Sequence, residues 1–280
     1  MTTNFIFGTV GAPLSTPKKP GGTLGAIQQM AALGLGALEL GWVRSVRISE
    51  EACRTIKQAA VENRISLSVH ASYFINLNAD SEEWPKSRQR LMDAAYFGYL
   101  AGATDIIFHP GSYFSQPRDE ALTRATDRLA GCVEELARRK ILVTLRPETM
   151  GKAALIGSLE DALWMSRQVP GVVPCLDFAH LHARPSDGSF NTYKEWIDAL
   201  DGYANIMGAY SLTFLHIHLS GIAYSTKGER NHLALDESGL NIRDLFRALR
   251  DRNCGGRILC ESPIMEEDAL KMKALWEEMK

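Results

Sequence analysis

Four short tracts end a hydrophobic run on a side chain able to bind a metal: Leu67-Ser-Val-His70, Ile106-Ile-Phe-His109, Val172-Val-Pro-Cys-Leu-Asp177 and Ile258-Leu-Cys-Glu261. Two more, Leu142-Val-Thr-Leu-Arg-Pro-Glu148 and Phe214-Leu-His-Ile-His218, follow the same rule with slight slack. Imidazole with carboxylate is a ligand set for zinc, manganese or iron. Glu148, Asp177 and Glu261 with His70, His109 and His218 would place about −3 of charge near two divalent ions, a balanced site. In chain order Glu148 falls between the His70/His109 pair and the Asp177/His218/Glu261 set, which makes it the natural bridge. Asp177 closes an apolar run, and an acid buried there needs a partner.

Taken singly, some of these residues admit plainer roles. His109 in His-Pro-Gly-Ser can cap a turn, and Glu148 and Glu261 can accept from a helix start. His216 and His218 are two apart and share one side of a strand, so one suits a ligand and the other packs against or orients it. Six of the seven histidines lie on strand ends or within a few residues of one. His182 is expected in a loop, away from metal.

The elements that must position these groups alternate along the chain. Expected strands are Phe5 to Gly8, Ala37 to Leu40, Leu67 to His70, Asp105 to His109, Ile141 to Leu145, Val173 to Asp177, Phe214 to Leu219 and Arg257 to Glu261. Amphipathic stretches of helical length lie between them, among them Glu82 to Ala101, Arg118 to Arg138, Ser158 to Arg167 and Asn241 to Arg250. Ser81-Glu-Glu and Ser158-Leu-Glu-Asp have the form of helix starts, a capping hydroxyl followed by acids. Gly34, Gly36 and Gly102 stand where helices end. Eight strands alternating with helices predict a single (β/α)8 TIM barrel over residues 1–280, with strand-ending ligands gathered at its C-terminal mouth. An open doubly wound sheet is the alternative, but neither a Gly-x-Gly-x-x-Gly after a first strand nor a Walker loop is present. Pro13 to Gly22, Ala183 to Thr192 and Gly221 to Ser238 are the long loops expected at that mouth.

Composition bounds the rest. The 280 residues carry ordinary apolar and charged fractions and a formal charge of −2, which argues neither for nor against nucleic acid. Lys18, Lys19, Arg44, Arg184, Lys227 and Arg230 lie near strand-to-helix loops and can form a basic rim or simply a solvated one. The five cysteines are scattered, with no Cys-x-x-Cys, so no disulfide framework or zinc knuckle is expected. Cys175 and Cys260 fall inside strands as small core residues. No apolar stretch approaches the ~18 residues of a membrane span. The opening residues lack the character of a secretion signal, so the cytoplasm is the expected compartment, with no membrane or protein partner evident.

The tracts His70-Ala-Ser-Tyr-Phe-Ile-Asn-Leu, Phe108-His-Pro-Gly-Ser112, Cys175-Leu-Asp-Phe-Ala-His180 and His218-Leu-Ser resemble the signatures of the endonuclease IV family, apurinic/apyrimidinic endonucleases on a TIM barrel with three zinc ions. The resemblance runs from His70 to Glu261. It implies that His70, His109 and Glu148 hold one zinc, and that Glu148 bridges to a second completed by Asp177, His218 and Glu261. A third would take His180 and His232. Tyr73 and Phe74 match positions that enter DNA at the lesion, where an aromatic can wedge beside a missing base; their plainer role is to wall the pocket.

The chain departs from the family around that third ion. The family places an Asp two residues before the last His; here the position is Arg230, with Glu229 one residue off. Ser220-Gly221 replaces part of an Asn-Asp-Ser, and Asp236-Glu-Ser stands where a Gly-Glu-Gly is usual. The implied chemistry is cleavage of DNA 5′ to an abasic site, with Glu148 and Glu261 as catalytic groups and Glu261 aligning the nucleophile. Arg230 or Lys227 would supply part of the third ion's charge. Two zinc ions are expected, with manganese as a substitute. Two alternatives stand beside it. A sugar isomerase or epimerase of the xylose-isomerase-like superfamily would use Glu148, Asp177, His218 and Glu261 around one manganese-like ion. A non-catalytic binding barrel would hold none.

Overall fold

The computed structural model describes residues Phe5–Met279; Met1 to Asn4, part of the tract read against a secretion signal, lie outside the described residues. The barrel strands are β1 (Phe5–Val10), β2 (Ala37–Gly41), β3 (Ser66–His70), β4 (Asp105–Phe108), β5 (Thr144–Pro147), β6 (Cys175–Asp177), β7 (Leu215–Leu219) and, later in the chain, β10 (Gly256–Cys260). All eight pair in parallel in the order β5-β4-β3-β2-β1-β10-β7-β6. The seam between β5 and β6 closes through one parallel bridge, Glu148 to Cys175, and the 3.0 Å bond from Thr149 N to Cys175 O. This is the expected (β/α)8 barrel, with fewer ladder bonds at one seam.

The outer layer comprises α1 (Gly22–Ala32), α2 (Glu50–Asn63), α3 (Trp84–Ala101), α4 (Arg118–Arg138), α5 (Leu159–Gln168), α6 (Phe178–Ala183), α7 (Tyr193–Met207), α8 (Ile242–Asp251) and α9 (Glu266–Glu278). Helix α4 shows why the sequence pattern worked: Ala121, Leu122, Ala125, Leu129, Cys132 and Leu136 recur at helical spacing and are all buried. Helix α5 begins in a full capping box between Ser158 and Asp161. Helix α3 begins two residues later than expected, at Trp84: residues 81–83 form a turn held by Asp80, whose Oδ1 accepts from Glu82 N and Glu83 N. Strand β5 begins at Thr144 rather than Ile141.

Successive strand residues face opposite sides, so residues two or four apart share the lumen. Here the lumen set is unusually polar: Glu39, Ser68, His70, Asp105, Arg146, Glu148, Asp177, His216 and His218 are all buried. Leu38, Leu67, Val69, Leu176 and Ile217 fill the intervening positions in the apolar core. At the lower end Asp105 pairs with Arg146 and with Arg257, a buried charge cluster beneath the site. The two guanidinium groups, more than offsetting burial, hold the Asp105 carboxyl well below the usual range.

The expected loop Gly221 to Ser238 instead contains an antiparallel hairpin, β8 (Gly221–Ser225) and β9 (Gly228–Leu233). It docks on the segment after β5: Glu229 N donates to Gly151 O at 2.9 Å. The approach depends on glycine, since a Cβ on Gly228 would lie 2.3 Å from Gly151 O. Among the described residues no helix is long and apolar enough to cross a membrane.

Candidate metal centre

The mouth of the barrel encloses a cavity of about 460 Å³ lined by Val10, His70, Tyr73, His109, His180, Glu229, Arg230, Asn231, His232 and Glu261. A larger, more apolar groove of about 560 Å³ lies between α5 and α7 around Trp164, with no histidine in its lining. The first is the one lined by histidines and acids, His70, His109 and Glu261 of the strand ends among them.

Beneath the cavity two sets of donors converge, each with its ligand atoms within 4.8 Å of one another: His70, His109 and Glu148, and Glu148, Asp177, His218 and Glu261. Glu148 is common to both and wholly buried. Its Oε2 lies 3.2 Å from His70 Nε2 and 3.4 Å from His109 Nε2; its Oε1 lies 3.3 Å from His180 Nδ1 and 3.5 Å from His218 Nδ1. Burial alone would raise the Glu148 carboxyl, but His218 and His109 outweigh it and hold it well below the usual carboxylate range. Asp177 goes the other way, lifted by burial and by Glu148 to about 6 although His180 opposes the rise. Burial, with Glu148 nearby, also raises Glu261 against the pull of His218.

The imidazoles are oriented from behind. His70 Nδ1 lies 3.0 Å from Ala71 O and His180 Nδ1 2.9 Å from Thr149 O. A carbonyl only accepts, so both Nδ1 atoms carry the proton and both Nε2 atoms turn toward carboxylates. This is the arrangement of a metal-binding histidine held by a backbone partner. Burial opposes charge on His70, yet its hydrogen bond to Glu148 carries the ring up to about 9. Glu148 Oε1, Asp177 Oδ2, His180 Nε2 and His218 Nδ1 are buried without a hydrogen-bond partner. Buried acceptors and lone pairs facing one another call for a shared cation, a proton or a metal ion. The donor set therefore fits divalent metal.

His180 and His232 face each other with ring centroids 5.4 Å apart. Glu229 Oε2 stands 3.5 Å from His180 Nε2, and Glu261 Oε2 lies 3.6 Å from His232 Nε2. The cause is a bulge in β9: pairing steps from Ala223–Asn231 to Tyr224–Glu229, leaving Arg230 as the extra residue. That insertion shifts the register by one, so Glu229 rather than residue 230 approaches the histidine. Arg230 lines the cavity but is exposed.

Other expected residues divide clearly. Tyr73 lines the cavity and stacks on His109 at 5.2 Å; Phe74 is exposed beside it under Arg90 and does not line the cavity. His182 is not a loop residue: it is buried in α6, with Nδ1 3.0 Å from Ser189 O. Arg184 is occupied by the carbonyls of Met150, Lys152 and Leu155, which removes it from the basic rim. Lys18, Lys19, Arg44, Lys227 and Arg230 remain exposed on mouth loops. Cys260 is a core residue as expected, whereas buried Cys175 also faces His216 and His218. Sequence reading missed Glu39, a fully buried acid of β2 that contacts both His216 and His218 at 3.0 Å. The signal was present: Ala37-Leu-Glu-Leu places one acid inside an apolar strand.

The sequence of residues 27–279 matches the family model described as xylose isomerase-like TIM barrel. The chain belongs to that family. Within it, an endonuclease 4 of Thermus thermophilus is 28% identical over 91% of this chain and 92% of its own. A Methanocaldococcus jannaschii protein described only as uncharacterized is 34% identical over 98% and 97%. Among solved structures, endonuclease IV from Thermus thermophilus superposes with a TM-score of 0.70 at 24% identity, covering 97% of this chain and all (100%) of that one. A D-tagatose 3-epimerase-like protein gives 0.73 at 17% identity over 98% and 96%. These two superpositions establish the shared fold, and the family resemblance to endonuclease IV holds.

Proposed function

We propose that this protein is a metal-dependent phosphodiesterase of the endonuclease IV type, cleaving DNA beside abasic sites. The observation that carries the proposal is the place of Glu148, whose two oxygens face different imidazoles and join two donor groups. His70, His109 and Glu148 would hold one zinc or manganese ion, and Glu148, Asp177, His218 and Glu261 a second. His180, His232 and Glu229 would hold a third, Glu229 replacing the Asp that Arg230 displaces.

Divalent ions in these places would lower the pKa of water toward neutrality and offset charge developing on a phosphate. The protein supplies the rest. Glu261 faces the cavity with Oε1 3.5 Å from His218 Nδ1 and Oε2 3.6 Å from His232 Nε2, placed to orient an attacking water and hold its proton. Tyr73, propped on His109, closes one wall and offers a ring face where a base is missing. Arg230, exposed at the bulge, can meet a phosphate, and Lys18, Lys19, Arg44 and Lys227 extend positive charge along the rim.

Incision of a duplex carrying one abasic site, with and without chelator, tests the proposal. Cleavage that chelation abolishes and zinc or manganese restores is expected; no cleavage at any metal loading overturns it. The epimerase reading has support of its own in the similarity to the D-tagatose 3-epimerase-like structure. It predicts one ion per chain and turnover of a ketose.

A further inference from the structure

We infer that Glu39 is a positioning residue for the metal centre, fixing which ring nitrogen of His218 faces the metal. The inference rests on the metal-dependent reading above and adds a residue from β2 that does not reach the cavity.

Glu39 is wholly buried in the lumen, below the mouth. A lone carboxylate there is costly, and an apolar residue of similar volume would usually serve stability as well. Its surroundings explain why an acid is retained. Oε2 is anchored twice, accepting from Ser68 Oγ at 2.7 Å and meeting His216 Nε2 at 3.0 Å. These two contacts, from β3 and β7, leave Oε1 aimed at His218, whose Nε2 lies 3.0 Å away. The ring does not point its Nε2–H squarely at Oε1, and neither atom makes a well-formed hydrogen bond elsewhere. At this separation a carboxylate oxygen and a bare ring lone pair would repel, so the proton sits on Nε2. Nδ1 is then the lone pair, 3.5 Å from Glu148 Oε1 and 3.5 Å from Glu261 Oε1.

His70 and His180 receive the same service from backbone carbonyls, those of Ala71 and Thr149. His218 differs because it lies within β7, between β10 and β6, where the strand backbone is committed to the two ladders. A side chain from another strand must orient it, and Glu39 reaches from β2. Its charge also makes the imidazole a stronger donor to metal. His216 is the strut between them: it holds Oε2 and does not line the mouth cavity.

The test begins with the wild-type protein loaded with zinc. Side-chain 15N resonances of His218 should show a protonated Nε2 and a metal-bound Nδ1; a protonated Nδ1 overturns the inference without any variant. Glu39→Gln keeps the shape and loses the charge. Chelator-competition titrations should show the ion of the Asp177/His218/Glu261 set bound ~10- to 100-fold more weakly, with the His70/His109 ion less affected. The cobalt-substituted variant should also change its visible absorption spectrum. If wild type binds metal and Glu39→Gln matches it in affinity and spectrum, Glu39 has no such role and the functional proposal stands. If wild type binds no divalent ion in the same titration, the functional proposal itself fails and takes this inference with it.

Discussion

Glu148→Gln should release two ions at once, because one carboxylate serves both donor groups. The substitution keeps the volume and one carbonyl oxygen but removes a unit of negative charge from a wholly buried point. Four imidazole nitrogens lie 3.2 to 3.5 Å from its oxygens, so ions held by those rings would lie within a few ångström of the lost charge. Two unit charges about 4 Å apart through an effective dielectric near 20 interact by about 4 kcal/mol, and a divalent ion doubles the gross term. Water entering in place of the carboxylate returns part of it, which leaves about 4 kcal/mol per site, or roughly a thousandfold in affinity. Metal per chain is measured after dialysis against a graded chelator series, with thermal melting as the control for folding. Both ions should fall together, and incision of abasic duplex should fall with them. Loss of only one ion, or a change below about tenfold at both, would refute the bridging argument.

Two further outcomes follow from the same geometry. Glu229→Ala should lower the metal content by one ion while the other two stay bound; an unchanged count places the third carboxylate elsewhere. In chelator-treated protein, burial holds His216 at about 4 against an ordinary 6.5. The unfolded chain then takes up the proton first, so stability falls as pH drops from 6.5 and levels near 4. At about 1.4 kcal/mol per unit the loss is about 3 kcal/mol. Urea unfolding of His216→Asn should lack this acid limb, and an undiminished limb would assign it to another group.

The barrel was legible because its signals are local and repeated. Helix α4 matched residue for residue, since its apolar positions recur at one period over 21 residues. Strand ends were legible because six runs stop on ligand-type side chains. What escaped depends on contacts between distant elements. Glu39 acquires meaning only when β2 closes against β3 and lies across the lumen from β7, bringing Ser68, His216 and His218 to it. The β8–β9 hairpin was hidden because Gly221 to Leu233 has no strong apolar–polar alternation. Its order comes from docking Gly228 on Gly151. Glu229 was legible only as an acid one residue off that needs a local rearrangement to substitute; the bulge that brings it to His180 is a property of the pairing, not of the strand.

The bulge also bears on how the two enzyme readings compare. An epimerase-like site needs one ion and the Glu148, Asp177, His218 and Glu261 set alone. Here His70 and His180 are also buried, each with Nδ1 turned to a carbonyl and Nε2 turned to an acid. Such imidazoles are costly when idle, since each places an unsatisfied lone pair or a buried proton against carboxylates. A one-ion site would leave His70 and His180 only the carboxylates of Glu148 and Glu229 in front of Nε2. With Arg230 the extra residue of the bulge, Glu229 comes to His180, so a carboxylate stands beside the imidazole although residue 230 is not an acid. The arrangement suits several ions at the mouth, as the proposed phosphodiesterase requires.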